Sequence, residues 1–495
     1  MSVGKSASQG FVSFFIRNML DKILGMVAMV ILARKLTPYD FGLVSITEVL
    51  LWVITAFGTA GVAEFLLAYR KKDTRKIFKA AFWFNFAITI AIIVVFLGAA
   101  PFWADYQGDD RIITISFISA AIFFFAQLQV IPKTLLTKNL EYQKQVKIQT
   151  PFIILVQFSK IGAVYAGLGV YSLIIPSLFF QPILTFFLYR GARLNPGLKL
   201  YTERWREIFA FTKHLIGANL LARIADEGDK IILSTFLGLE TLGVYNIAMQ
   251  LANLFISPFV MISNNVLASV LPRFVDDNNK FYHNYMSFLK AFIFVVFPLL
   301  AMMVVSAKPI ILTLYGTKWL AAVIPLQILL IYTATRTATS SFGVLMSTLH
   351  LTRKTFNMNL IYTPIHIVGA LIGGSFGMIG IAISMVIVKT LFTIVPVKYI
   401  STALEIPFSK WFRDIAPYWL SVVFIAVGFL IVGSIVPLGF DIHPFANVCI
   451  LSAAFIGLYY LVVRVFLVKE LYIISSFLGH TVPKARRYFN VLFGL

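Results

Sequence analysis

Twelve charged residues interrupt stretches otherwise apolar enough to cross a membrane: Arg17, Lys22, Lys160, Arg223, Lys230, Arg336 and Lys389, with Asp21, Glu48, Asp226, Glu227 and Asp229. A charge at the centre of a membrane helix costs roughly 2.5–3.5 kcal/mol on insertion scales, so such residues are expected to face a wet cavity rather than lipid. Spacing gathers them into stripes. Arg223, Asp226 or Glu227, and Lys230 recur at i, i+3/i+4 and i+7, and Arg17 and Asp21 at i and i+4. Either pattern stacks its members along one side of a helix. Arg336 lies in the polar run TATRTATSS (333–341), which also reads as cavity lining.

The chemistry these residues offer is binding. Basic groups outnumber acidic ones seven to five, which suggests an anionic group on the substrate, and guanidinium forks suit phosphate oxygens. Arg17, Lys22, Arg223, Lys230 and Arg336 are the candidate substrate-binding residues. Asp21, Glu48, Asp226 and Asp229 are the candidates for coupling to protons or sodium. The competing reading is structural. Arg17–Asp21 and Arg223–Glu227 would then be internal ion pairs fixing helix packing, and Lys160 and Lys389 would each pack alone against a partner carboxylate. The six histidines show no metal-ligand spacing, and no Walker loop, dinucleotide fingerprint or GxSxG is present, so neither a cofactor nor an enzymatic activity is expected.

The elements that must position these groups are membrane helices. A mean hydropathy of +0.87, with 59% hydrophobic and 13% charged residues, is not a soluble composition. Apolar runs of about twenty residues, long enough to cross ~30 Å of hydrocarbon as helices, recur fourteen times, from 11–33 and 41–66 to 414–436 and 445–468. The net charge of +21 could suggest nucleic acid, but its distribution excludes that partner. With a cytoplasmic N-terminus, loops and tails on the cytoplasmic side hold 30 of the 42 Lys and Arg, against five on the other side (Arg34, Lys35, Arg111, Lys308, Lys318). That split is a positive-inside signal with both termini cytoplasmic. The first run is too long and too charged near its start, and lacks a small-residue cleavage site, so it is not expected to be a removable signal peptide, and the single Cys449 excludes a disulfide framework within the chain.

The chain is also doubled. NMLDKILGMVAMVILARKLTPYDFGLVSI (18–46) and NLLARIADEGDKIILSTFLGLETLGVYNI (219–247) align without a gap at a shift of 201, with eight of 29 positions identical, among them Leu36/Leu237 and Gly42/Gly243. GLGVYSLIIPSL (167–178) likewise resembles SFGMIGIAISMV (375–386). Six crossings separate the copies, so both start in the same orientation and the repeat is parallel. The expected fold is an all-α polytopic membrane protein of about fourteen transmembrane helices. An N-lobe (1–200) and a C-lobe (201–400) of six helices each, facing a common space, are followed by two extra helices and a cytoplasmic tail (401–495). The tail beyond 469 carries apolar and basic residues that suit either the inner leaflet or an ordinary cytoplasmic tail.

Several segments carry a family resemblance. ARKLTPYDFGLVSI (33–46), VIPKTLLTKNLEYQ (130–143), GDKIILSTFLGLETLGVYNIA (228–248), VLPRF (270–274) and PIILTLYGTKWLAAVIPLQIL (309–329) resemble the bacterial polysaccharide flippases of the multidrug/oligosaccharidyl-lipid/polysaccharide superfamily. The resemblance runs in order from about 10 to about 400. It implies a cationic cavity between rocking lobes in the bacterial cytoplasmic membrane, with Arg17 and Arg223 the best matches to the family's cavity arginines. It implies translocation of a polyprenyl-pyrophosphate-linked oligosaccharide for O-antigen, capsule or exopolysaccharide assembly. The expected partners are the lipid-linked oligosaccharide, membrane lipids, and a polysaccharide polymerase with its chain-length machinery. Asp21 beside Lys22 departs from a purely cationic first helix. Alternatives are a lipid II flippase or a multidrug/ion antiporter of the same superfamily, and a membrane polysaccharide polymerase, for which the outer loops are short.

Overall fold

The computed structural model describes residues 3–55, 61–69, 74–254, 256–435 and 444–466; the tail beyond 469 and the basic cluster at 70–72 lie outside them. Among the described residues every regular element is helical, and eleven helices are long and apolar enough to cross a membrane. The chain divides into two compact units, Met1–Asn246 and Ile247–Leu495.

The first unit contains α1 (Val3–Lys35), α2 (Pro38–Thr55), α3 (Val62–Ala68), α4 (Thr74–Gln107), α5 (Arg111–Leu128), α6 (Val130–Lys138), α7 (Tyr142–Tyr165), α8 (Ile175–Ala192) and most of α9 (Trp205–Leu254). Helix α1 packs on α7, α4 on α5, and α8 on both α5 and α7. The apolar run at 41–66 is divided between α2 and α3. Phe65, Leu66 and Tyr69 of that second piece join Ile77, Phe78, Phe84, Ile131 and Ile208 in a buried cluster. Lys138 donates to the carbonyls of Leu66 and Tyr69, closing the frayed end of α3.

Where α5 gives way to α6, carbonyls would be stranded in a medium without water. Neighbouring helices supply the donors. Asn85 donates to the Gln127 carbonyl (3.0 Å) and Tyr189 to that of Leu128 (2.9 Å), while Thr185 adds a second donor (3.3 Å) to the Phe125 carbonyl, which also accepts from the Gln129 amide (3.2 Å).

The repeat appears as a repeated corner. The α1–α2 break falls at Leu36–Thr37, where the Thr37 hydroxyl and amide both donate to Asp40, a capping arrangement. In α9 the break falls 201 positions later, at Gly238, whose φ of 82° and ψ of 171° are not helical. The two corners then pack on each other reciprocally. A Cβ on Gly42 would lie 1.9 Å from the Leu239 carbonyl oxygen, and one on Gly243 1.8 Å from that of Pro38. Since Pro38 and Gly42 correspond to Leu239 and Gly243, these contacts are copies of one another. Between them Asn246 donates to the hydroxyl of Ser45, its own counterpart, at 2.6 Å. Contacts between equivalent positions are what a local twofold relation between the copies produces. They also explain why the first unit extends to Asn246: this stretch of the second copy is packed on the first.

The second unit contains α10 (Ser257–Val270), α11 (Asn278–Val305), α12 (Ala307–Leu314), α13 (Val323–Thr339), α14 (Phe342–Thr348), α15 (Thr352–Gly374), α16 (Gly377–Ala403), α17 (Phe408–Ile435) and α18 (Pro444–Phe466). Helix α16 packs on α13 and α15, and α11 on α13 and α17. Outward faces are apolar. Ile379, Ile383, Ile387, Leu391 and Ile394 form an exposed stripe along α16 at helical spacing, as expected of a helix that meets lipid. The glycine turn opening α16 carries Gly377 at φ 77°, and its counterpart Gly169 has φ 54°, so the two copies of this turn share a positive φ that favours glycine.

Candidate functional site: a ladder of charges in the first unit

Helices α1, α2, α6, α7 and α9 each bring charge to one region of the first unit. Arg17 and Asp21 of α1 interact along their helix, and Lys133 of α6 lies within electrostatic reach of Arg17. Lys160 of α7 interacts with both Asp21 and Glu48, and Glu48 of α2 with Lys160, Lys230 and Glu227. Lys230 closes a 2.6 Å ion pair with Glu227 one turn back on α9. The order Lys133, Arg17, Asp21, Lys160, Glu48, Lys230, Glu227 alternates in sign except at its first step, where two cations meet.

That first step is the least compensated. Among the described residues, Arg17 is the only charge acting on Lys133. The Arg17 guanidinium donates to the Asn18 side chain at 3.2 Å and lies 5.6 Å from the Phe14 ring centroid, while its buried Nε has no hydrogen-bond partner. A guanidinium with an unused donor beside an ammonium suits an oxyanion carrying more than one negative charge. Glu48 and Asp226 keep accessible surface, and Arg17, Asp21, Lys133, Lys160, Glu227 and Lys230 are half-buried. None of these residues is sealed in the core.

The remaining candidates are placed as follows. Half-buried Arg223 lies 4.6 Å over the exposed ring of Trp52 on α2, a cation–π contact in place of an ion pair with Glu227, which is taken by Lys230. Lys22 is half-buried on α1, and Asp226 is exposed on α9. Asp229 is fully buried: Tyr245 donates to one oxygen at 2.7 Å, and the other has no partner. Arg336 is exposed on α13, and Lys389 lies on α16 in the second unit. Lys160, expected to stand alone, belongs to the ladder. Lys133 is absent from the sequence-derived set although it lies within the apolar run 112–136; its position beside Pro132 near the end of that run makes it read as a loop charge.

On the opposite side of α2 and α5, Arg111 binds both carboxylate oxygens of Asp109 at 2.7–3.1 Å, and Tyr39 donates to the same group at 2.9 Å. The Arg111 hydrogen bonds hold the Asp109 carboxyl below the usual carboxylate range.

Comparison with known proteins gives a consistent result. Residues 31–324 match the family described as polysaccharide biosynthesis protein. Teichuronic acid biosynthesis protein TuaB of Bacillus subtilis (strain 168) is 25% identical over 54% of this chain, a match that spans only about half of the relative (55%). Lipopolysaccharide biosynthesis protein WzxC of Escherichia coli (strain K12) is 24% identical over 75% of this chain and 76% of its own length. Among solved structures, the lipid II flippase MurJ in an inward closed conformation shares the fold, with a TM-score of 0.62 at 15% identity over 90% of this chain and 98% of that one. The protein is a multi-pass membrane protein of this fold.

Proposed function

Because this chain belongs to the polysaccharide biosynthesis protein family, we propose that it moves a polyprenyl-pyrophosphate-linked oligosaccharide from the cytoplasmic to the outer leaflet of the bacterial cytoplasmic membrane. The product feeds O-antigen, capsule or exopolysaccharide assembly, and the protein is a transporter rather than an enzyme. The relatives are named for teichuronic acid and lipopolysaccharide biosynthesis, and the fold is shared with the lipid II flippase MurJ. In this reading fourteen helices form an N-lobe (1–200), a C-lobe (201–400) and an appendage (401–495), with both termini cytoplasmic. The lobes rock in alternating access. The Gly42–Gly243 corner, where counterpart residues touch, supports a doubled architecture.

The observation that carries the mechanism is the Arg17–Lys133 pair: among the described residues the only charge acting on Lys133 is another cation, and Arg17, although Asp21 acts on it, keeps a buried Nε without a hydrogen-bond partner. These two cations receive the pyrophosphate, and Lys22, Arg223, Lys230 and Arg336 line the path of the saccharide. Entry of a dianion there offsets the local excess of positive charge, whereas the carboxylates Asp21, Glu48 and Glu227 already face cations. That assignment disfavours a cavity built for drug cations. The ion-coupling candidates are Asp21, Glu48, Asp226 and Asp229; a proton or cation on the unpartnered Asp229 oxygen would complete its shell. Arg17→Ala and Lys133→Ala are expected to reduce surface polysaccharide at least tenfold at unchanged membrane abundance, with the lipid-linked saccharide accumulating. Wild-type export in both variants would remove the pair from the mechanism.

A further inference from the structure

Three helices of the first unit end around one pocket. The start of α4, the end of α6 and the end of α8 enclose about 390 Å³ lined by Lys79, Asn139, Arg193 and Asn195, with an apolar floor that includes Phe78 and Leu135. No carboxylate is among the lining residues. The side chains of Lys79, Arg193 and Asn139 make no hydrogen bond or ion pair among the described residues.

A folded strap holds these donors in place. Arg193 caps α8 in the left-handed region (φ 50°), its amide donating to the Arg190 carbonyl, and the Leu194 amide donates to that of Tyr189. Trp83 of α4 donates to the Gly197 carbonyl at 3.1 Å, and the Gly197 amide donates to the Asn195 side-chain oxygen at 3.0 Å. With its oxygen so engaged, Asn195 has its NH₂ group left to offer. Lys79 is half-buried, and a Cβ on Gly197 would lie 3.4 Å from its ammonium, so the strap runs against the lysine.

Two cations and two amides without a carboxylate call for an oxyanion. The space is larger than a bare ion needs: at ~30 Å³ per water it has room for about thirteen waters. Leu198, which follows the strap glycine, is 91% exposed, and Leu200 is exposed as well. Apolar side chains beside a basic pocket suit an anion that carries hydrocarbon, and basic pockets between membrane helices bind anionic headgroups. Three helices long and apolar enough to cross a membrane, Lys76–Gln107, Arg111–Lys138 and Gly169–Ala192, each have an end here. The pocket is also separate from the Arg17–Lys133 pair. Leu135 and Asn139 are one turn apart on α6, whereas Lys133 precedes Leu135 by two residues, about 200° around the helix. Helix α6 thus turns different faces to the two.

We propose that this pocket binds the phosphodiester headgroup of an anionic glycerophospholipid, a resident of the membrane rather than the transported molecule. Lys79 and Arg193 take the phosphate oxygens, Asn195 adds a neutral donor, and Asn139, able to donate and accept, meets the headgroup hydroxyls. The assignment goes beyond the flippase reading and stands without it.

Native mass spectrometry of the purified full-length protein in detergent tests it, with phosphatidylglycerol, phosphatidylcholine, inorganic phosphate and a polyprenyl pyrophosphate as probes. Phosphatidylglycerol is expected to bind at least tenfold more tightly than phosphatidylcholine at one site, and Lys79→Gln/Arg193→Gln to remove that preference. A charge-matched control on exposed residues of the second unit, Lys280→Gln/Arg353→Gln, should keep it. Equal affinity for the two phospholipids, a preference unchanged in the Lys79/Arg193 variant, or an equal loss in the control overturns the site. Asn195→Asp, which keeps the side-chain shape, should weaken phosphatidylglycerol at least threefold by placing like charges together; undiminished binding counts against the proposal. Full displacement by equimolar inorganic phosphate assigns the pocket to a free ion and overturns the lipid. Polyprenyl pyrophosphate binding that is lost in the Lys79/Arg193 variant assigns it to the transported molecule and overturns the proposal as well.

Discussion

Replacing Gly42 by Ala probes the reciprocal corner most sharply. The added Cβ would sit 1.9 Å from the Leu239 carbonyl oxygen, a backbone atom that cannot rotate away. A carbon–oxygen contact requires about 3.3 Å, so the two segments must part by about 1.4 Å. The same displacement stretches the 2.6 Å Asn246–Ser45 hydrogen bond to about 4 Å, beyond bonding range. Overpacking of this kind costs about 1–3 kcal/mol and the lost hydrogen bond about 1 kcal/mol, while alanine's higher helix propensity returns up to about 1 kcal/mol. A net loss of about 1–3 kcal/mol is expected. Gly243→Ala meets the Pro38 carbonyl at 1.8 Å and should cost the same. Because one separation relieves both clashes, the double variant should cost clearly less than the sum of the singles. Thermal unfolding in detergent measures stability, and disulfide trapping of a Ser45→Cys/Asn246→Cys pair, with Cys449 replaced by Ser, reports the separation directly. Wild-type stability and trapping in both single variants would refute the close packing. Strict additivity in the double variant would refute the reciprocity.

Two further outcomes follow from the charges. Lys230→Met should destabilise by about 3 kcal/mol, since it leaves Glu227 and Glu48 facing each other without their shared cation, whereas Lys230→Arg should be nearly neutral; equal stability of both variants would show that the ladder contributes nothing. Asp109→Asn should cost about 1 kcal/mol at neutral pH, because Arg111 is partly exposed. The folded Asp109 carboxyl is depressed, so its contribution is complete above about pH 4 and is lost as pH falls through the folded value. The difference from wild type should therefore close below about pH 4, and a gap constant from pH 7 to pH 3.5 would exclude Asp109 as its source.

Much of the architecture was legible in one dimension because lipid imposes it. Apolar runs long enough to span must be helices, and the shift of 201 paired Gly42 with Gly243, the glycines that allow the two corners to touch; that the second corner breaks at Gly238 came only from the structure. The charge partners were less legible. Spacing along α9 offers Glu227 both Arg223 at i−4 and Lys230 at i+3, and the choice is made by another helix: Trp52 of α2 takes Arg223. Lys160 could not be assigned a partner from sequence, since Glu48 is 112 positions away and only the fold brings them together. Lys133 was hidden for a different reason. Proline beside a lysine at the end of an apolar run reads as the start of a loop, yet α6 continues as a helix through Lys138 and carries Lys133 to Arg17.

The central claim is directional transfer of a lipid-linked saccharide, and its location in a deletion strain tests that claim most directly. Mass spectrometry of the accumulated lipid-linked intermediate, before and after treatment of spheroplasts with a membrane-impermeant glycosidase, reads both its identity and its leaflet. The account predicts a polyprenyl-pyrophosphate-linked repeat unit that survives treatment until the membrane is permeabilised. Unpolymerised repeats cleaved in intact spheroplasts would contradict it and assign the protein to a step after transfer.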